Sequence, residues 1–500
     1  MSDDSPSHTP DEPQEQASPP LHEATAPEPQ ADPQGHHTTR SVPTPLPHEA
    51  RVEVMLIFGL FVTLRLMTAW WFRPLYSEAG SFFYPFLYLM RGGYYPFFDY
   101  WLEYPPVLTY ALVGIHWVSV QVCGAGSVAW ERACFVRTVQ VASILLETGS
   151  LGIVYALARR LRGARAAAKA CWVYLALFST AFVALSYVDA LPVFLMLIAV
   201  VLTYRGRAVW SAAAVAAGFM AKVLPIVLLP TVLKADRRWR WRLAAIGVFI
   251  MFSGYFAAPF LVTGRHWLWH SLESSLRRPP WETVWALLDD RYEFGYVGPM
   301  PADQNGRFFA DYRVEPGTRG LLAAMPREVL GGGPARRILH YRVASRFARD
   351  LSFIDSAPRT QWFWWVYGGV GLVLGAFYLI TFASVPQELL PRRRVAFATF
   401  SLFVFFFFSK GWSPQFVLYL IPLLLITFPV GEAALWCLLL TVTAFLETPL
   451  WTHYVHPLKL MNSASPLAAF DHLLLQVAVL GRSALLLIVG VRVFPRLFRD

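Results

Sequence analysis

From residue 52 onward the chain is a succession of apolar runs separated by short basic clusters. Twelve runs have the character of buried or membrane-crossing helices: 54–72, 136–158, 170–187, 188–204, 208–221, 223–233, 243–262, 362–384, 395–409, 415–430, 432–446 and 472–493. Several are shorter than the roughly 20 residues that a straight crossing needs. Short or broken helices are tolerated at membrane depth where they line a cavity inside the protein instead of facing lipid. A polytopic all-α membrane bundle is the only common fold class that accommodates this pattern. With 56% of residues hydrophobic and only 15% charged, the chain has too little polar surface for an ordinary soluble enzyme.

The basic clusters assign a side to each loop. Arg159, Arg160, Arg162, Arg165 and Lys169 lie between the second and third runs, and Arg205 and Arg207 follow the fourth. Lys234, Arg237, Arg238, Arg240 and Arg242 follow the sixth, Arg392, Arg393 and Arg394 the eighth, and Arg492, Arg496 and Arg499 close the sequence. All five fall on one side if every neighbouring pair is separated by an even number of crossings, and the positive-inside rule makes that side cytoplasmic. The formal net charge of +10 is thereby read as topology, with a membrane and not nucleic acid as the partner. Both termini are then expected in the cytoplasm, in a plasma or inner membrane. Residues 1–48, rich in Pro, Asp, Glu, Gln and Ser and without apolar period, read as a disordered cytoplasmic tail. They lack the basic and apolar regions of a signal peptide. Residues 52–495 form the membrane domain.

The opposite, outer side receives a long first loop over 73–135, turns near Asp189 and Lys222, a second long loop over 263–361, and turns at 409–414 and 447–471. Within the first loop, residues 82–91 are aromatic and residues 106–121 apolar but interrupted by Pro105, Pro106 and His116. Both are expected to lie in the interface as amphipathic segments. Making 106–121 a crossing would invert every later loop. Cys123 and Cys134 flank one short loop and are placed to pair if it faces an oxidising compartment. Cys171 and Cys437 sit in apolar runs and read as small buried hydrophobes. Arg65 and Glu147, inside apolar runs, are expected to form a structural pair.

Polar chemistry concentrates on the outer side. The first loop carries YSEAG over 76–80 and DYWLEYPP over 99–106, giving three carboxylates, Glu78, Asp99 and Glu103, among aromatic rings. The other turns supply Asp189, Lys222, Arg277 and Arg278 in RRPPWETVW over 277–285, and Lys410 and Gln415 in SKGWSPQ over 409–415. Carboxylates beside aromatics suit a sugar with an ionisable hydroxyl, and Arg and Lys at a lipid boundary suit a phosphate on a lipid tail.

These strings, DYWLEYPP at 99–106, DAL at 189–191, AKVLP at 221–225 and SKGWSPQ at 409–415, taken in order, resemble the GT-C-type integral membrane glycosyltransferases. The likeness is to the polyprenyl-phosphate-dependent branch known as glycosyltransferase family 87, and it runs over nearly all of 52–495. It implies a GT-C-like bundle of about 12 transmembrane helices with interfacial helices in the first outer loop. It also implies an inverting transfer of a hexose, mannose in first place, from a polyprenyl-phosphate sugar to a lipid or glycan acceptor. In the family an acidic residue 14 positions before the glycine that ends the first interfacial helix is the general base; here Gly92 and Glu78 have that spacing. The family residue is more often Asp, which leaves Asp99 and Glu103 as rival bases. Lys410 and Arg278, with Arg277 and Lys222 behind them, are the implied phosphate ligands. Tyr104, Asp189 and Gln415 are the implied sugar-binding residues. No Asp-x-Asp occurs in the first loop, and neither a metal nor a cofactor is implied. The competing readings are a transporter or flippase of a lipid-linked sugar, for which an internal repeat is expected, and a non-catalytic envelope scaffold.

Overall fold

A computed structural model describes residues 48–71, 77–124, 126–292, 324–330, 342–348, 357–386, 389–456 and 466–498, with Leu351 and Ile354. The expected tail over 1–48 lies outside the described residues but for its last residue, as does most of 293–341. Among the described residues the chain is helical, without β-sheet; two isolated bridges join Pro96 to Tyr100 and Trp281 to Gly411.

Each of the twelve expected runs is helical. In chain order the main helices are α1 (His48–Trp71), α2 (Pro106–Cys123), α3 (Val128–Arg162), α4 (Ala164–Ala176), α5 (Phe178–Ser186), α6 (Ala190–Tyr204) and α7 (Ala208–Ala221). After short turns at Leu224–Leu228 and Leu229–Leu233 come α8 (Trp239–Thr263), α9 (Arg265–Arg277), α10 (Phe363–Ser384), α11 (Pro391–Phe408), α12 (Val417–Thr427), α13 (Val430–Phe445) and α14 (Asp471–Val493). Local chemistry fixes their ends. Ser127 caps α3 by accepting the Trp130 amide at 3.3 Å, and Glu131 in the first turn complements the helix dipole. The far end carries Arg159, Arg160 and Arg162 and stops at Gly163, whose φ of +89° a side chain would oppose.

By length and composition seven of the described helices can cross a membrane, or eight if α4 and α5, bent by 57° at Leu177, make one broken span. The shorter α6, α7 and α12 are apolar too. Twelve helical runs therefore do not translate into twelve full-length crossings. One of the seven is α2, where an interfacial segment was expected. Its prolines do not interrupt it: Pro105 is the N-cap and Pro106 opens the first turn, where a missing amide costs nothing.

The largest core gathers α3 to α7 with α11 to α14, and a second one forms around aromatic residues of the first loop, including Phe82, Phe83, Phe86, Tyr100 and Phe135. The Arg65–Glu147 pair is present inside the bundle, at 3.1 Å, and Arg65 also donates to Thr180 Oγ1 at 2.6 Å. Both charges are buried, so each holds the other in place. Cys123 and Cys134 are joined as a disulfide between the end of α2 and the start of α3. At the α8–α9 junction an added Cβ on Gly264 would lie 1.9 Å from the Phe97 carbonyl oxygen, so only glycine lets the first loop dock there.

Candidate active site

The ends of α5 to α7 and α9, the turn before α12 and the first loop bring two charged groups of side chains into place. Glu78 opens the run of short helical turns Ala79–Phe83, Tyr84–Leu89 and Met90–Gly92, and it is buried. One of its oxygens accepts from the Tyr104 hydroxyl, the other from the Val188 backbone N–H at 3.1 Å. The next residue, Asp189, is the N-cap of α6 and fully buried. Its Oδ1 accepts from Lys222 Nζ at 2.5 Å and from the Tyr419 hydroxyl at 2.7 Å. Its Oδ2 is buried without a hydrogen-bond partner among the described residues. Lys222, at the C-cap of α7, also lies 5.3 Å from the Tyr104 ring and 5.0 Å from the Phe416 ring. The result is a cation flanked by two carboxylates and two ring faces, in a place that excludes much of the water.

That arrangement sets the acidity of Glu78. Burial, and next the negative charge of Asp189, push its carboxyl up to about 7, against the opposing pull of Lys222, Tyr104 and the Val188 amide. A buried carboxyl that changes protonation near neutral pH has the acidity suited to a general base.

The second group surrounds Glu103, which accepts from Arg346 at 2.5 Å and stands 3.7 Å from Arg278. Arg346 is buried, with its guanidinium 4.0 Å from the Trp101 ring. Burial works against the Glu103 charge, yet Arg346, Arg278 and Arg342 outweigh it and hold the carboxyl below its ordinary value. Arg278 is the C-cap of α9 and stacks 4.1 Å from the Trp281 ring. Lys410 donates to the Leu276 carbonyl, and burial, followed by the nearby Arg278 charge, brings its ammonium down to about 8.

Hydrogen bonds around the isolated Trp281–Gly411 bridge hold Lys410 beside Arg278. Trp281 N–H donates to the Lys410 carbonyl at 3.0 Å, Thr283 Oγ1 donates to the same oxygen at 3.1 Å, and Trp412 N–H donates to the Trp281 carbonyl at 3.2 Å. Between them Gly411 lies flat against Trp281, where an added Cβ would come within 2.0 Å of the ring. Next to this bridge, Arg482 of α14 is buried, pairs with Glu447, donates to the Glu282 carbonyl and stacks 4.4 Å from Trp412.

Of the residues singled out in the sequence, Glu78, Tyr104, Asp189 and Lys222 thus share one cluster, and Glu103, Arg278 and Lys410 the next. Gln415 is buried in the turn Pro414–Phe416, its Oε1 without a hydrogen-bond partner among the described residues. Two are engaged elsewhere. Arg277 pairs with Glu273 one turn back on α9, at 2.7 Å, and Asp99 accepts the Tyr95 amide at 2.7 Å, closing its own turn. Three participants were not anticipated. Tyr419 follows Gln415 by four residues and so shares its side of the helical run, a periodicity that points to it. Arg346 and Arg482 carry no comparable signal. Among the described residues no group of three or more His, Cys, Asp or Glu is placed to hold a metal ion.

Comparison with known proteins gives one family match and several remote structural ones. Three solved structures are similar in outline. The apo oligosaccharyltransferase of Archaeoglobus fulgidus has 12% identity, with 88% of this chain and 56% of that one covered and a TM-score of 0.37. The present chain therefore spans little more than half of that protein's length. ArnT from Cupriavidus metallidurans in the apo state has 16% identity, 87% and 78% coverage and a TM-score of 0.37. The same protein bound to undecaprenyl phosphate has 14% identity, 87% and 78% coverage and a TM-score of 0.35. No curated protein matches the sequence. The family model described as Glycosyltransferase family 87 matches residues 101–284, a segment that contains Glu103, Tyr104, Asp189, Lys222, Arg277 and Arg278. The matched segment is under half of the chain, and over it the sequence is similar to the family that the motifs resemble.

Proposed function

We propose that the chain is a GT-C-type membrane glycosyltransferase that moves a hexose, with mannose as the first donor to test, from a polyprenyl-phosphate sugar to a lipid or glycan acceptor. Glu78 is the general base. It takes the proton of the acceptor hydroxyl as that oxygen bonds to the anomeric carbon. The bond from that carbon to the phosphate oxygen breaks on the opposite face, so the configuration inverts. Polyprenyl phosphate leaves with the electron pair and needs no proton from the protein. Lys410 and Arg278 take up its charge, with Lys222 in the neighbouring cluster behind them. Asp189, Tyr104 and Gln415 are assigned to the sugar hydroxyls; Asp189 and Gln415 each retain a buried oxygen without a partner among the described residues, as an acceptor for a sugar hydroxyl would.

The observation that carries this reading is the arrangement of the two groups: the buried Glu78 carboxyl, pushed up to about 7 by burial and Asp189, lies in the field of Lys222, with the half-buried Arg278 and Lys410 in the neighbouring group. It also favours Glu78 over its rivals. Glu103 is committed to two arginines and held anionic, and Asp99 is committed to its own turn. Arg277, paired on the α9 surface, drops behind the other cations. The site is assigned to the outer face of the plasma membrane with both termini in the cytoplasm. The Cys123–Cys134 bond at the same end as the first loop supports that orientation, since disulfides persist in oxidising compartments.

The test is transfer of labelled hexose from polyprenyl-phosphate mannose, and in parallel from polyprenyl-phosphate glucose, by the full-length protein in vesicles carrying an envelope lipid extract. Label appearing in a new lipid or glycan with inverted anomeric configuration supports the reading. Movement of intact labelled donor across the bilayer without transfer would replace it by the flippase alternative.

A further inference from the structure

Glu282 is a buried acid that the transfer mechanism does not use. It sits in the middle of the segment that joins Arg278 to Lys410. Its two neighbours hold the Lys410 carbonyl, through the Trp281 N–H at 3.0 Å and the Thr283 hydroxyl at 3.1 Å. Glu282 itself takes the left-handed backbone conformation, with φ at +51°. A residue with a long side chain rarely adopts it, and such a position persists only where surrounding contacts over-determine it. Here two contacts do so. Arg482 of α14 donates to the Glu282 backbone carbonyl, and the Glu282 carboxyl lies within hydrogen-bond reach of the Glu447 carboxyl, two residues past α13.

The charges in this place do not balance if both acids are ionised. Arg482 pairs with Glu447 through Oε2, which satisfies one carboxylate. Glu447 Oε1 is buried and receives no hydrogen bond from an N–H or a hydroxyl among the described residues. Arg278 also acts on Glu282, but it is shared with Glu103 and stacked on the Trp281 ring. A second carboxylate would set two like charges against each other and leave Oε1 without a donor. One proton between the two carboxyls removes both costs. Burial, and next the Glu447 charge, hold the Glu282 carboxyl well above its ordinary value, against the pull of Arg482 and Arg278. An ion pair for Arg482 needs only Glu447, and an apolar side chain of similar length would fill the place of Glu282 without a polar group to neutralise. The second acid therefore calls for a role beyond packing.

We propose that Glu282 is a positioning residue for the donor phosphate: as a neutral acid it donates its proton to a hydrogen bond with Glu447, and that bond fixes the Trp281–Thr283 segment that keeps Lys410 and Arg278 side by side. The proposal rests on the reading of those two cations as the phosphate ligands. Glu282 acts through the backbone of its own segment and not on the reacting atoms. The neutral form suits this duty better than a carboxylate. It completes the bonding of Glu447, and it adds no negative charge that would compete with the phosphate for Arg278 and Lys410. Arg482 secures the same segment from below α9, through the Glu282 carbonyl on one side of the bridge and the Trp412 ring on the other.

The experiment compares Glu282→Met, which keeps the length and removes the hydrogen bond, with Glu282→Gln, whose amide N–H donates to Glu447 as the neutral acid does. For the full-length protein, kcat and KM are measured with labelled polyprenyl-phosphate hexose, and binding of unlabelled polyprenyl phosphate is read from the shift it causes in thermal unfolding. Glu282→Met is expected to raise the donor KM and the half-saturating polyprenyl phosphate concentration at least about tenfold, the loss of roughly one hydrogen bond to a charged group, with a smaller change in kcat. Glu282→Gln is expected to bring both back to within about threefold of the wild type. The infrared difference spectrum of wild type and Glu282→Gln at neutral pH should show one protonated carboxyl band lost in the variant. A Glu282→Gln protein as weak as Glu282→Met, or no lost carboxyl band, overturns the shared proton. A fall in kcat with KM and polyprenyl phosphate binding unchanged overturns the positioning role. If Glu282→Met does not insert, Glu282→Gln decides alone: a donor KM raised tenfold or an unchanged carboxyl band overturns the proposal. Absence of transfer by the wild type would instead defeat the functional reading, and the polyprenyl phosphate and infrared measurements would still decide this one.

Discussion

Replacing Lys410 by Arg is expected to remove one limb of the pH profile and leave the other in place. Burial, with Arg278 nearby, brings Lys410 down to about 8, while burial and Asp189 bring Glu78 up to about 7. On the proposed mechanism, transfer needs Glu78 without its proton and Lys410 with its own. The sign of each limb follows. As pH rises through 7 the base becomes available and kcat/KM climbs; as pH rises through 8 the phosphate-binding ammonium is lost and kcat/KM falls. The wild type therefore shows a narrow bell with its maximum between the two values. One unit above 8, about one tenth of Lys410 remains charged, so kcat/KM at pH 9 should be about tenfold below the value without that loss. Arg stays charged throughout this range, so the Lys410→Arg protein keeps the rising limb and plateaus. Its guanidinium does not reproduce the ammonium geometry, so each profile is normalised to its own maximum. The assay is kcat/KM for hexose transfer from labelled donor over about pH 5.5 to about pH 9.5, a quantity that reports the free enzyme's ionisations. A falling limb that stays near 8 in the variant would refute the assignment of Lys410 to the leaving phosphate.

Other perturbations separate the contributions. Tyr104→Phe removes the hydroxyl that stabilises the charged form of Glu78, so the rising limb should move to higher pH. Asp189→Asn removes the charge that opposes it, so the same limb should move to lower pH; equal directions in the two profiles would defeat the shared-cluster argument. Gly411→Ala places a methyl group against the Trp281 ring and should cost about 1–3 kcal/mol of local packing, read as loss of transfer with membrane insertion intact. Arg482→Leu leaves Glu447 buried without its cation and should lower stability by about 3–5 kcal/mol in thermal or denaturant unfolding, and a wild-type midpoint would show that the pair does not brace the Trp281–Gly411 bridge.

The long apolar runs were legible because each is a continuous stretch bounded by charge or by a turn residue. The breaks inside them were harder to see. Leu177 takes an extended conformation between α4 and α5 without a glycine or proline to announce it. For residues 106–121 the prolines stand at the first turn and leave the helix continuous, a point of position that the presence of proline alone does not show. The site was legible as a set of polar turns on one face, but not as a set of partners. Glu78 meets the Val188 amide, and Asp189 meets Lys222 and Tyr419, across separations that no helical or strand period encodes. Only the folded bundle sets the Glu78 acidity, through burial and an adjacent charge. Asp189 and Lys222, which the sequence offers separately as a sugar ligand and a phosphate ligand, are an ion pair in the fold.

The most direct measurement is the initial rate of hexose transfer by Glu78→Gln in membrane vesicles, alongside Asp99→Asn and Glu103→Gln, with each protein's inserted amount quantified. Glu78→Gln should insert normally and lose transfer by a factor of about 100 or more, in the range of a missing general base. Asp99→Asn should stay near the wild type. Full activity in the Glu78→Gln protein, with loss in either of the others, would contradict the account.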